Sequence, residues 1–158
     1  MPKQLTSEKK TFKSKFDPSM SILYKAELER RKNSRVIIKR HKSKNKFSAK
    51  KENGELAILN GRYAFITVNG ETRAWPIVST SHNDTCHFAL SDFAQLVEYA
   101  GEVTFSRYIS KDKKKKAKPD NAQCEKFDNA SGTYRPDAEQ KAQAGFPVEK
   151  YVAPTFKF

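Results

Sequence analysis

The stretch 56–78 constrains the fold more than any other part of the chain. LAILN is followed by GRYAFITV across Asn60-Gly61, and a second Asn-Gly at Asn69-Gly70 leads into ETRAWPIV. A two-residue hairpin turn places both central residues at positive φ, and Asn and Gly tolerate this at least cost. The pattern predicts a three-stranded antiparallel meander over 55–59, 62–68 and 71–78. Phe65, Ile66 and Val68 supply an apolar surface. Tyr63 and Phe65, two residues apart, share one face. Pro76 lacks an N–H for the ladder, so the third strand is read as ending there or lying at an edge.

Around this meander the signals alternate. Residues 1–16, rich in Lys, Ser and Thr, read as an arm with Phe12 and Phe16 as anchors. Asp17-Pro18 is a cap followed by proline at the first helical position, and a helix is expected over about 19–32. RVIIK at 35–39 is a short strand, and the polar, basic 40–51 reads as an exposed loop. Further on, Phe93, Leu96, Val97 and Ala100 recur at helical spacing, with Ser91 or Asp92 as cap and Gly101 as terminator. Val103, Phe105 and Ile109 favour a strand. The turn-rich 119–136 is followed by a short helix, DAEQKAQA, ended by Gly145, and by a last strand at 148–152. The expected class is α+β, a twisted antiparallel sheet with flanking helices.

Charge divides the chain. Residues 1–51 hold 17 Lys or Arg against 4 Asp or Glu, which accounts for the whole formal charge of +13. The remainder is neutral in sum, with a basic run, KDKKKKAK, at 111–118. The division predicts a basic N-terminal arm with a short helix over 1–51 and a compact body over 52–158 with a Lys-rich loop. Such patches suit polyanions, because each phosphate contact releases condensed counterions. Arg30, Arg31, Lys32, Arg35, Lys39, Arg40, Lys42, Lys44 and Lys46 form the central block, with Lys113, Lys114, Lys115 and Lys116 as a second contact. These residues would grip backbone phosphates without reading sequence. Tyr63 or Trp75, if exposed, would stack on unpaired bases.

Several classes are disfavoured. There is no apolar run long enough to span a bilayer and no hydrophobic signal-peptide core at the N-terminus. Glycine-rich dinucleotide and Walker-type phosphate loops are missing. Cys86 and Cys124 lack the paired spacing of a zinc module, so no metal site is expected and no cofactor is indicated. Reduced thiols fit a cytoplasmic setting, and delivery into another cell by a specialised secretion system is a compatible one.

The densest reactive group is SHNDTCH at 81–87. His82 or His87 can serve as a general base and Asp84 can orient it, with Arg107 or Lys111 offsetting charge on a phosphate. Cys86 beside a histidine is a candidate nucleophile–base pair.

Three short segments carry a resemblance: CHFAL at 86–90, YAGEVTF at 99–105 and SGTYRPDAE at 131–139. They resemble a module near the ends of bacterial effector or toxin-like proteins, in which an AGE segment precedes an SGHYRP-like segment. Ala100, Gly101 and Glu102 match the first. Ser131, Gly132, Tyr134, Arg135 and Pro136 match the second, and Thr133 stands where the pattern has histidine. The resemblance implies Glu102, Tyr134 and Arg135 as pocket residues, Glu102 joining His82, Asp84 and His87 as a catalytic candidate. Their structural roles are equally natural: a turn at Gly132, an anchor at Tyr134.

Three functions follow as expectations. The first is a nucleic-acid-binding protein, for RNA or a single strand, gripping phosphates through its basic region. The second is an effector-like enzyme acting on a macromolecule, which requires the candidate residues to converge on one cleft. The third is a protein-interaction domain tethered by a basic arm.

Overall fold

A computed structural model describes residues 10–42, 44–77, 86–106 and 122–154. The elements in chain order are β1 (Phe12–Lys13), α1 (Ser21–Arg31), β2 (Val36–Arg40), β3 (Phe47–Lys51), β4 (Leu56–Ala57), β5 (Gly61–Val68), β6 (Glu71–Pro76), α2 (His87–Leu90), β7 (Leu96–Val97), β8 (Tyr99–Ser106) and β9 (Gln123–Phe127). Short 3-10 turns add Pro18–Met20, Lys32–Ser34, Ala138–Ala144 and Val148–Lys150. The class is the expected one: a curled antiparallel sheet with flanking helices, ordered β4-β3-β2-β6-β5-β8-β9, and a separate β1–β7 pair. Among the described residues no helix is long and apolar enough to cross a membrane.

The sheet curls until its ends meet. Phe47 and Ala122 exchange both backbone hydrogen bonds, at 2.8 and 3.2 Å, joining the start of β3 to the approach to β9. Beside them the Asn45 side-chain amide brackets the Cys124 backbone, accepting from its N–H at 2.7 Å and donating to its carbonyl at 3.1 Å. This amide takes the place of a strand neighbour and satisfies two groups that an open edge would leave unpaired.

Residues of alternating orientation fill the two faces. Phe47, Tyr63, Phe65, Phe105 and Phe127 meet on the concave side, where Phe146 touches Phe47, Phe65, Phe105 and Phe127 with ring centroids 4.9–5.8 Å apart. On the other face α2 packs on β5 and β6, and α1 packs on α2. Trp75 is fully buried there, with the Arg31 guanidinium 4.4 Å above its ring. Tyr24, Phe16, Phe88 and Phe93 continue this layer as an aromatic chain.

Several local readings hold. Asp17 caps the turn at Pro18 by accepting from Ser19 N at 2.9 Å, and α1 follows. Asn69 and Gly70 both lie at positive φ (53° and 77°) and join β5 to β6. Gly145, at φ 89°, ends Ala138–Ala144, which is a 3-10 segment with a kink at Gln140. Phe12 and Phe16 anchor the N-terminal segment: Phe12 is buried against Tyr99, and Phe16 packs on Tyr24 and Phe88.

Others are corrected. Asn60-Gly61 is not a hairpin turn, because β4 pairs with β3 and not with β5. A third Asn-Gly, Asn53-Gly54, makes the reversal: Lys51 N bonds Glu55 O at 2.8 Å, and Gly54 takes φ 89°. The segment 40–51 is therefore half strand. FSAKK places Phe47 and Ala49 inside and Ser48 and Lys50 outside, a period-2 pattern hidden by its lysines. The helix expected from 92 to 100 does not form. Asp92 and Phe93 lie at positive φ (58° and 65°), and β8 pairs with β5 from Gly61↔Phe105 to Thr67↔Tyr99. Leu96–Val97 pairs with β1 and Tyr99–Ala100 with β5, so strand pairing overrides the 3.6-residue periodicity. The final strand at 148–152 reduces to a 3-10 turn and one parallel bridge, Phe127↔Tyr151.

The charge boundary after Lys51 is not a structural boundary. β2 is hydrogen-bonded to β3 on one side and β6 on the other, and β3 reaches both β4 and Ala122. The basic segment is part of the sheet itself.

Candidate nucleic-acid interface

The three motif segments do come together, but mostly as structure. His87 opens α2 and is 1% exposed. Its Nε2–H donates to the Gly101 carbonyl at 2.8 Å, which fixes the neutral tautomer carrying the proton on Nε2. Desolvation pushes its pKa down to about 4. Gly101 in turn lies against the backbone of Asp128, closer than any side chain allows. One Asp128 carboxylate oxygen accepts from Glu102 N at 3.0 Å and from Ala130 N at 2.9 Å. Burial raises the pKa of this carboxyl.

SGTYRP forms the turn beneath. Ser131 Oγ accepts from Tyr134 N at 3.2 Å, and Arg135 N bonds Ser131 O at 2.9 Å. The Tyr134 hydroxyl donates to Ala94 O at 2.6 Å and meets Ser91 Oγ at 2.9 Å. Burial pushes this phenol up to about 12, so it stays protonated. Tyr134 is thus a buried anchor, not a pocket residue. Arg135 is exposed, at φ 43°.

The convergence on an accessible cleft that catalysis requires is not found among the described candidates. His87 and Tyr134 are enclosed, and Cys86 has a thiol whose pKa burial raises, the wrong direction for a nucleophile. Glu102 alone faces an open groove of about 370 Å³, with Arg62, Thr104, Lys126 and Asp128 in its walls. Its carboxylate is held by Arg62 at 2.5 Å. His82, Asp84, Arg107, Lys111 and the run Lys113, Lys114, Lys115 and Lys116 lie outside the described residues, as does the expected strand beyond Ser106. No group of three metal-binding side chains occurs among the described residues.

The neutral burial of His87 carries a pH consequence. Its folded pKa lies below the unfolded value near 6.5, so the unfolded state binds more protons between the two. Its contribution is complete above about pH 6.5 and is lost as pH falls toward about 4, roughly 3 kcal/mol in all. His87→Gln retains an N–H donor but does not titrate. Urea unfolding of both proteins from pH 7 to pH 4 is expected to show a steeper loss for the wild type. Parallel curves would contradict the assignment.

The basic block separates into two groups. Arg30 pairs with Glu27, and Lys32 with Glu29 at 2.9 Å. Arg31 covers Trp75 and donates to Pro76 O at 3.1 Å. Arg35 is 6% exposed, held by Glu52, by Asp92 at 2.8 Å and by the Leu90 carbonyl at 3.1 Å. Arg31 and Arg35 are thus held against the body, whereas Arg30 and Lys32 pair with acids at the surface.

The second group occupies the β2–β3 hairpin. Lys39, Lys42 and Lys44 are exposed and Lys46 half-buried, and none forms an ion pair with a described carboxylate. Arg40 donates to Lys44 O at 2.8 Å and shapes the loop. Lys50, exposed on β3, joins this group and was hidden by the loop reading of 40–51. The alternation of FSAKK is the signal that identifies it. The expected stacking platform is absent: Tyr63 is 6% exposed and packs on Phe105, and Trp75 is enclosed. No protein-family model, curated protein or solved structure matches the chain.

Proposed function

We propose that the protein binds nucleic acid, RNA in particular, by gripping backbone phosphates with its β2–β3 hairpin. The observation that carries this reading is the contrast within one basic block. Arg30, Lys32 and Arg35 have acidic partners, whereas Lys39, Lys42, Lys44, Lys46 and Lys50 share one hairpin and form no ion pair with a described carboxylate. Unpaired lysines close together keep their condensing field for an external polyanion. Contacts of this kind give affinity and register without sequence selectivity.

The reading predicts steep salt dependence. About five lysines on a single strand give a loss of about 100-fold in affinity between roughly 50 mM and 200 mM salt. Fluorescence anisotropy with a labelled RNA oligonucleotide measures it. No binding at the lower salt would overturn the proposal.

A further inference from the structure

The outer face of the same hairpin bears more than charge. In the ladder, Arg73 of β6 stands opposite Ile37 of β2, Ile37 opposite Lys50 of β3, and Lys50 opposite Leu56 of β4. Directly opposed residues point to the same face. The row thus reads Arg, Ile, Lys, Leu across four strands, about 14 Å from end to end at the usual strand spacing. Lys39 lies one step along β2 on that face, beside Ser48. Ile37 is 37% exposed and Leu56 63%. Arg73 is tied to Glu71 and Asp92, so the cations of the face that form no ion pair among the described residues are Lys50 and Lys39.

We infer that this face accepts a single strand of nucleic acid rather than a duplex, with unpaired bases lying on Ile37 and Leu56 and phosphates on Lys39 and Lys50. The inference rests on the phosphate-binding reading and names its substrate. In a duplex the apolar faces of the bases are stacked away, and the surface offers phosphates and polar groove edges. Only an unpaired base presents an apolar face to an apolar side chain. Two exposed aliphatic residues flanking a free lysine match a chain in which flat bases alternate with phosphates. The ladder on both sides of β2 and β3 holds the row rigid before binding.

The test compares three ligands: a single-stranded RNA, a duplex of the same length, and vesicles containing anionic lipid. The double variant Ile37→Ser, Leu56→Ser keeps every lysine. It is expected to weaken single-strand binding about 10-fold, leaving duplex binding within about twofold and the salt slope unchanged. A second variant, Leu56→Trp, is expected to strengthen single-strand binding, because an aromatic platform contributes more per base. Equal losses for single strand and duplex, or no change with either variant, would overturn the inference. So would apolar-dependent binding to the vesicles without preference for the single strand. If the wild-type protein binds neither nucleic acid at low salt, the phosphate-binding reading itself fails.

Discussion

Gly101→Ala is expected to lower the midpoint of thermal unfolding by about 10 °C or more, corresponding to a loss of at least about 3 kcal/mol. A Cβ at this position would lie 2.0 Å from the Asp128 carbonyl oxygen and 2.8 Å from its carbon. Both are backbone atoms, so no rotamer change relieves the clash. Moving the 128–130 turn away would break the bond from Glu102 N to the Asp128 carboxylate and the bond from Asp128 N to Glu102 O. Shifting Gly101 instead would pull on its carbonyl, the acceptor for buried His87. Gly54→Ala is the control. A Cβ there meets nothing within 4 Å, and only the positive φ of 89° opposes it, at about 1–2 kcal/mol. Thermal unfolding followed by circular dichroism compares the two. Similar small shifts would contradict the close-approach role of Gly101.

Deletion of residues 1–51 is expected to abolish folding altogether. The deletion removes β2 and β3, the two strands that join β4 to β6, and with them the Phe47–Ala122 closure. Val36, Ile38 and Phe47 leave the core with it, and their burial alone is worth roughly 5–9 kcal/mol. That is comparable with the entire stability of a typical domain, about 5–15 kcal/mol. Phe65, Phe105 and Phe146 would face water on one side. Denaturant titration of the truncated chain is expected to show no cooperative transition. A soluble fragment with a sharp transition would mean that the basic segment is an appendage after all.

How far the sequence discloses this molecule can be judged residue by residue. The β5–β6 hairpin is legible because Asn69-Gly70 acts locally: the turn needs two positive φ values and those residues provide them. Asn60-Gly61 shows the limit. Its φ preference is real at Gly61, but which strands zip together depends on partners far along the chain. Residues 92–100 repeat apolar side chains at helical spacing, yet strand pairing prevails, Leu96–Val97 with β1 and Tyr99–Ala100 with β5, and Gly101 serves close packing instead of ending a helix.

The site follows the same division. Net charge was readable as a sum, whereas its availability was not. Arg35 counts as positive in the sequence but is consumed by Glu52 and Asp92, 17 and 57 residues further on. Lys50, read as part of a loop, stands on the outward side of a strand. His87 and Tyr134 look reactive by residue type, and only their enclosure beside Gly101 and Ser91 identifies them as structural.

The hairpin lysines, and not Arg30 and Lys32, are expected to meet the polyanion. Replacing Lys39, Lys42, Lys44, Lys46 and Lys50 with Gln changes the hairpin alone, whereas Arg30→Gln with Lys32→Gln changes cations that already have acidic partners. The decisive measurement is the slope of log affinity against log salt for a single-stranded RNA with each protein. The hairpin variant is expected to be shallower than wild type by about 3 to 4, at about 0.7 for each lost phosphate contact, with the Arg30/Lys32 variant close to wild type. An unchanged slope for the hairpin variant, or an equal loss in the other, would contradict the hairpin as the binding element.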